Sequence, residues 1–483
     1  MAGPSPGVAW GRLLICTSAG VSIALLPPPA GLDPRGWGVF AVFVGVVLAF
    51  LLRPIDMAPA VLIGLLVIAV TGLVEVGPLI ASGFGDKTVW LVVAAFLIAD
   101  AVEHTGLGRR IALLILRALG RSLLGTGYAI AAAELVLGPF IPSNTARGGG
   151  VLSPVVNGLA KALGAVPGEP RGPGAYLSQV GSHSNLVTSA MFLTAMAGNV
   201  LVLPGARDHL GVDFGYWTWI QGSWVPGLAS LAILPLLIYI LERPPPVDIA
   251  SLRERVAADL AAMGRWTRNE LVLGCLLLGL LLLWTTGKLL EGALGIKLDT
   301  TATALIGVAL IVVLDVRSWP SVASTWRAWD ALLWLGGYVA LAEALKATRF
   351  TDWFASEVRS GLGGWSGLEC AVILALIYFV SMVFFSQLTA HAAALAAAFL
   401  AVAASTGAPP LLATALIAYF TTLCGAMMPW SSGPVIIYFG LDYVPVTRWI
   451  RNGCLVALCH LGVWLSLGMA WWRWLGWWAP APP

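Results

Sequence analysis

Long apolar runs separated by short polar joints fill this chain. A helix needs about 20 apolar residues to cross a bilayer. Runs of that order fall at 13–26, 36–52, 57–77, 89–102, 176–202, 217–241, 270–286, 300–315, 331–345, 410–428 and 449–470. They predict an all-α, polytopic membrane protein with about eleven crossings. The first run has the length of a signal-peptide core. Pro27-Pro28-Pro29 follows it without a small-residue cleavage site, so it is read as a retained helix.

Two further apolar stretches are interrupted halfway. Residues 124–163 are broken by Gly138-Pro139-Phe140-Ile141-Pro142-Ser143-Asn144-Thr145, and residues 365–404 by Ser386-Gln387-Leu388-Thr389. Irregular backbone at membrane depth survives only where protein or a watery cavity surrounds it. Each stretch is therefore read as a re-entrant helical hairpin with a polar tip. Two polar segments, Ser182-His183-Ser184-Asn185 and Pro429-Trp430-Ser431-Ser432-Gly433-Pro434, predict a loop and a break within the spans that carry them.

The halves resemble each other. Shifting the chain on itself by 244 residues places Asp86 and Trp90 on Asp330 and Trp334, Thr145-Ala146 on Thr389-Ala390, Arg147 on His391, and Thr188-Ser189 on Ser432-Gly433. An odd number of crossings per half inverts the second relative to the first, and inverted repeats with broken helices near the midplane mark secondary transporters. The expected organisation is a first repeat over 1–241, a cytoplasmic linker over 242–270 and a second repeat over 271–483.

Composition agrees with lipid as the main solvent. The 483 residues are 59% hydrophobic and 11% charged, with a mean hydropathy of +0.88. A soluble domain carries roughly 25% charged residues. The net charge of +3 gives no reason to expect a nucleic-acid partner. Six cysteines lie in or beside apolar runs with no CxxC spacing and read as free thiols packed as small apolar residues. Arg109, Arg110, Arg117 and Arg121 stand among leucines at 107–123, the pattern of an amphipathic helix on the membrane surface. That segment and the charged linker fall on one side of the predicted topology. The positive-inside rule makes this side cytoplasmic, with the N-terminus inside and the C-terminus outside, although Lys346, Arg349 and Arg359 lie on the outer side. The tryptophans at 471–478 are expected to anchor the last helix at the outer interface.

The chemistry lies in the four polar breaks. Broken helices point free N–H groups and positive dipole ends into the break. Small hydroxyl and amide side chains add neutral donors, and Gly148-Gly149-Gly150 allows close backbone approach. Such a site suits carboxylates. Candidate substrate ligands are Ser143, Asn144, Thr145, Gln387, Thr389, Ser432 and Gly433. Arg147 and His391, beside the two tips, are candidates to neutralise a dianion or to stand in for a coupling cation; the alternative for each is an interfacial or capping role. Glu134 reads either as a proton-coupling group or as a local partner for an arginine, and His183 is open between site and packing. Asp86 and Asp330 precede apolar runs and are expected to cap helices. Gly83-Phe84-Gly85-Asp86 resembles an intramembrane aspartyl protease signature, but the chain has no Tyr-Asp pair to complete it, nor HExxH or GxSxG. No enzyme activity and no organic cofactor are expected.

Pro-Ser-Asn-Thr-Ala-Arg at 142–147 and Leu-Thr-Ala-His at 388–391 resemble the divalent anion:sodium symporter (DASS) family, closer to its 2-oxoglutarate/malate translocator and citrate/succinate antiporter branch. Asn185-Leu-Val-Thr-Ser-Ala-Met-Phe-Leu-Thr-Ala-Met, Asp330-Ala-Leu-Leu-Trp-Leu-Gly-Gly and Gly433-Pro-Val-Ile-Ile-Tyr-Phe-Gly extend the resemblance over roughly 80–450. It implies two inverted repeats, a homodimer, and an elevator-type transport domain built from the hairpins and broken helices; the expected location is the plasma (inner) membrane. It also implies substrate carboxylates held at two Ser-Asn-Thr tips. The first tip matches in full, with a sodium site at Ser143, Asn144 and Asn185 as one expectation. At the second, Gln387 and Leu388 replace Ser and Asn, and Leu388 offers no side-chain oxygen to a second sodium ion. The expected activity is transport of di- or tricarboxylates, leaning to exchange. Sodium-coupled symport and transport of a sulfate-like oxyanion remain as alternatives.

Overall fold

The computed structural model describes residues 8–141, 143–168, 172–294, 299–361 and 366–479, so Pro142 and residues 480–483 lie outside the described residues. Every regular element among them is helical. α1 (Trp10–Leu25), α2 (Pro34–Leu52) and α3 (Met57–Val70) cover the first three predicted runs. Asp33 and Pro34 start α2 by accepting from Arg35 N and by pre-setting φ. The short α4 (Val76–Phe84) leads into α5 (Lys87–Thr105), which Asp86 caps by accepting from Thr88 N at 2.7 Å.

α6 (Leu107–Leu119) is amphipathic as expected, with Leu107, Leu113 and Leu116 buried. Arg110, however, is buried rather than interfacial. It binds Glu270 at 2.6 Å and the carbonyls of Gly264 and Met263, tying this helix to the linker. The chain then runs through α7 (Leu123–Leu137), a π-helical stretch Thr145–Leu152, α8 (Ser153–Ala162) and α9 (Pro173–Met191). Two 3-10 turns, Leu193–Ala195 and Ala197–Leu201, lead to α10 (Val202–Leu210) and then α11 (Tyr216–Glu242). The linker holds α12 (Ile249–Ala262), which buries only Leu252 and Val256.

The second half is likewise helical. It comprises α13 (Arg268–Leu294), α14 (Thr300–Val313), α15 (Trp319–Ala323), α16 (Trp326–Ala347), α17 (Phe350–Gly361), α18 (Gly367–Ser381), α19 (Leu388–Ser405), α20 (Pro410–Leu423), α21 (Gly433–Phe439), α22 (Val446–Val463) and, after a π-helical turn, α23 (Met469–Trp474). Seven described helices are long and apolar enough to cross a membrane alone; shorter apolar helices such as α3, α7 and α14 accompany them.

Helices pack in two sets. α3, α4 and α5 lie on α16, and α5 also lies on α14. α7, α11 and α20 surround α9, while α10 packs on α19 and α18 on α20. The two sets meet at α6–α7, α17–α19 and α2–α19.

Three expectations need correction. Ser182–Asn185 is not a loop: it lies inside α9, every residue of which is buried. Packing on all sides overrides the weak helix propensity of Ser and Asn, and the break comes later, at Phe192–Leu201. Thr188-Ser189, on a continuous helix, is therefore no structural counterpart of Ser432-Gly433, which opens α21. Asp330 caps nothing, because α16 begins earlier, after Thr325. At the C-terminus Trp471 and Trp472 donate to the carbonyls of Gln221 and Gly222 on α11, while Trp474 is exposed.

Candidate functional site

Tip one is built around a buried guanidinium. Arg147 lies at the start of the π-helical stretch, with no exposed surface. Its Nε donates to Glu134 Oε2 on α7 at 2.6 Å. Nη1 donates to the carbonyls of Ile141 (2.9 Å) and Ala195 (3.0 Å). Nη2 reaches Ser189 Oγ (2.8 Å) and Thr188 Oγ1 (3.3 Å) on α9. One side chain thus fastens the tip to α7, to α9 and to the first break. A planar fork of donors is what this requires; a lysine could not serve so many acceptors at fixed angles.

Glu134 is equally buried and also accepts from one face of α9: Asn185 Nδ2 lies 3.1 Å from each carboxylate oxygen, and Thr188 Oγ1 lies 3.3 Å from Oε2. Asn185 Nδ2 also donates to Asn144 O at 3.2 Å. Ser143 Oγ accepts from Ala146 N at 3.1 Å, and Ser143 O accepts from Arg147 N at 2.9 Å. The tip backbone is thereby fixed while the side chains of Ser143 and Asn144 stay half-buried and that of Thr145 exposed. Gly148 is required where it stands: a β-carbon there would come 2.8 Å from Asn185 Nδ2 and 3.0 Å from Pro434 Cβ.

This arrangement bears on two expectations. The positive charge of Arg147 does not stand free beside the tip, since Glu134 neutralises it. At the candidate sodium site of Ser143, Asn144 and Asn185, Asn185 and Asn144 come together, and Asn185 Oδ1 is buried with no protein partner. The carbonyls of Ser143 and Asn144 are already accepting, and Asn185 turns its amide nitrogen toward both Asn144 and Glu134. The guanidinium supplies the N–H groups for the oxygens around it.

Tip two is less polar. The chain is extended at Gln387, and α19 starts at Leu388, whose N–H donates to Ser431 O at 3.0 Å. Ser431 Oγ in turn donates to Gly425 O at 2.5 Å. His391 is fully buried, with Nε2 at 2.9 Å from Ser381 Oγ and its ring against Tyr378 and Phe385. Its ring faces aromatic side chains and a hydroxyl, and its buried Nδ1 has no protein partner.

The breaks cross-link the tips. Thr145 of tip one lies against Gly433, where a β-carbon would collide with the threonine hydroxyl. Thr389 of tip two lies against Gly198 of the first break, 3.4 Å from where a β-carbon would stand. Because Ser431, Ser432 and Gly433 are consecutive, the second break touches both tips. Ser432 caps α21 from an extended conformation, and its buried hydroxyl has no protein partner. Of the predicted ligands, Ser143, Asn144, Thr145, Thr389, Ser432 and Gly433 thus belong to one connected region; Gln387 adjoins it through Leu388.

Sequence reasoning missed two residues of the first break. Asn199 Nδ2 donates to Ser189 O (2.8 Å) and Phe192 O (3.1 Å), satisfying carbonyls left open where α9 ends. Thr194 Oγ1 donates to Pro139 O (3.1 Å), joining this break to tip one. The dipeptide Gly198-Asn199 was the available signal. His183, inside α9, packs against Trp449 at 6.1 Å between ring centres.

Chemically, the region offers hydroxyls, amides and helix N-termini held in place by an internally balanced ion pair. It can hydrogen-bond an anion without bringing a net charge of its own.

Comparison with known proteins agrees. Residues 8–478 match the model of the sodium:sulfate symporter transmembrane region. The chain is 38% identical to YflS of Bacillus subtilis, which carries the name of a malate transporter, over 99% of both chains. It is 33% identical to the chloroplastic dicarboxylate transporter 1 of Spinacia oleracea, over 98% of this chain and 83% of that one. It is 31% identical to the L-tartrate/succinate antiporter of Escherichia coli K12, over 96% and 98%. Among solved structures, the fold is shared with the MtrF efflux pump of Neisseria gonorrhoeae at 15% identity and a TM-score of 0.57, covering 97% and 95% of the two chains. It is shared also with the YdaH transporter of Alcanivorax borkumensis at 15% identity and 0.56, covering 84% and 88%.

Proposed function

This chain belongs to the family of the sodium:sulfate symporter transmembrane region, the divalent anion:sodium symporters, and from that premise we propose that it exchanges di- or tricarboxylates across the membrane without sodium. It is an integral multi-pass transporter and not an enzyme. The substrate class is supported by relatives named for malate, dicarboxylates, tartrate and succinate.

The observation that carries the coupling is the Arg147–Glu134 pair. In a symporter, arriving cations draw the oxygens of tip and break together and bring charge that offsets the substrate. Here a resident guanidinium holds those oxygens, and Glu134 balances it. The site is therefore assembled with or without external ions, and no co-substrate carries positive charge across. A dianion moving alone works against the membrane potential at about 2.3 kcal/mol per charge per 100 mV. Swapping one dianion for another moves no net charge and avoids that cost.

In this reading the hairpins, the broken helices α9–α10 and α20–α21, and α11 and α22 move as one body. α2–α5 and α13–α16 form the frame, with the halves as inverted repeats and the protein a homodimer in the plasma membrane, its N-terminus cytoplasmic. The packing of α10 on α19 and of α16 on α3–α5 supports that division.

Labelled malate uptake into proteoliposomes tests the proposal, with and without internal dicarboxylate, at zero and high sodium. Competition by succinate, 2-oxoglutarate, citrate and sulfate defines the substrate. Uptake is expected only into loaded vesicles, unchanged by sodium and resistant to sulfate. Strong uptake into empty vesicles that needs an inward sodium gradient would restore symport, and displacement by sulfate alone would favour the inorganic-anion reading.

A further inference from the structure

Away from the site, five charged side chains meet between α10 and the ends of α5 and α16. Arg207, in the last turn of α10, places Nη1 3.5 Å from Asp86 Oδ2 and Nη2 3.7 Å from Glu343 Oε1. Its Nε lies 3.3 Å from Asp208 Oδ1, and Lys346 Nζ of α16 lies 3.0 Å from the same oxygen. Asp86 is the N-cap of α5, so its carboxylate is held in place by Thr88 N and is not free to follow Arg207.

These residues belong to helices that pack with different neighbours. α10 lies on the second hairpin; a β-carbon on Gly205 would stand 3.1 Å from Ala397 Cα of α19. α5 and α16 pack on each other and on α14, α3 and α4. Behind the charges a cavity of about 150 Å³ separates the groups, lined by Pro204 and Asp208 of α10, Tyr338 and Lys346 of α16, and Ala397 of α19. Apolar packing is incomplete along this line, and ion pairs bridge it.

We propose that Arg207, with Asp208 and Lys346, is an electrostatic latch that favours the conformation seen here over the one facing the other side. The latch rests on the elevator reading above. Salt-bridge contacts of 3.0–3.7 Å do not survive a rigid-body shift of several ångströms. They therefore exist on only one side of the transport equilibrium and bias it by their full interaction. Arg207 and Lys346 are about half exposed, so water screens each pair. A shift of the two-state ratio on the order of two- to tenfold is expected on removing Arg207.

Two measurements on the full-length protein in proteoliposomes separate the latch from the movement it rests on. In the first, Arg207→Cys with Glu343→Cys is bridged by a short reducible bis-thiosulfonate, with each single cysteine as control. Exchange should stop on bridging and return with reductant. Undiminished exchange in the bridged protein would mean that α10 does not move past α16, and both readings would fall. In the second, dyes on Val166→Cys and Trp319→Cys, both exposed positions, report the two states by single-molecule energy transfer in a Cys275→Ser background. Arg207→Gln and Glu343→Gln should each move the distribution away from the present state, and 1 M salt should move the wild type in the same direction. If bridging stops exchange but neither substitution nor salt changes the distribution, the elevator stands and the latch is overturned.

Discussion

Asn144 and Thr145 owe their position to Arg147 and Asn185, which hold the tip backbone and leave these two side chains free for a ligand. Asn144→Ala and Thr145→Ala should therefore abolish uptake while folded protein in the membrane stays at wild-type levels. Each hydrogen bond lost to an anion is worth on the order of 1.5–3 kcal/mol; near-normal transport by both variants would place the site elsewhere. The ion pair behaves oppositely. Arg147→Met alone or Glu134→Gln alone leaves an uncompensated buried charge and should cost about 3–5 kcal/mol of stability. The double variant should melt closer to wild type than either single one, which thermal unfolding in detergent checks. The Ser-Asn-Thr tip was legible because its residue types have few uses in an apolar stretch. A local arginine partner for Glu134 was one of two readings the sequence left open; that Arg147 is the partner was decided by the helix reversal that brings residues thirteen apart together.

At the scale of elements, the helix interruptions near 138–144 and 385–387 were legible from polar residues in apolar stretches, and the second break from Pro429 to Pro434. The first break was misplaced because Ser182–Asn185 looks polar enough to end a helix, yet α9 is packed on every side. Close helix approaches make the next prediction. Gly433→Ala drives a β-carbon into Thr145, whose short side chain cannot swing clear, so it should reduce transport more than tenfold by displacing tip one. Gly83→Ala meets the Gly336 carbonyl on α16, where backbone must yield. It should lower the melting temperature by several degrees and reduce the amount of folded protein, while the surviving fraction keeps wild-type substrate affinity. Equal affinity loss in both variants would contradict the separation of frame and site.

For the whole molecule, topology is the open measurement. Cysteines at Arg253 on the exposed face of α12 and at Ala479 after α23 should label from opposite sides of the membrane, the former from the cytoplasm. Labelling from one side would remove the inverted-repeat arrangement. The sequence by itself determined the class of molecule. Apolar runs of membrane length and two interrupted hairpins admit few other solutions, because lipid tolerates no unsatisfied backbone. It also singled out Ser143-Asn144-Thr145 as the candidate tip, since short polar side chains in such places are costly without use. Only the tertiary structure decided where charge resides. Whether Arg147 faces substrate or Glu134, and whether Arg207 bridges to Asp86 and Glu343, depends on which helices lie side by side. Long-range packing sets those neighbours, and in a low-dielectric interior it is the neighbour, not the residue, that decides what a charge can do.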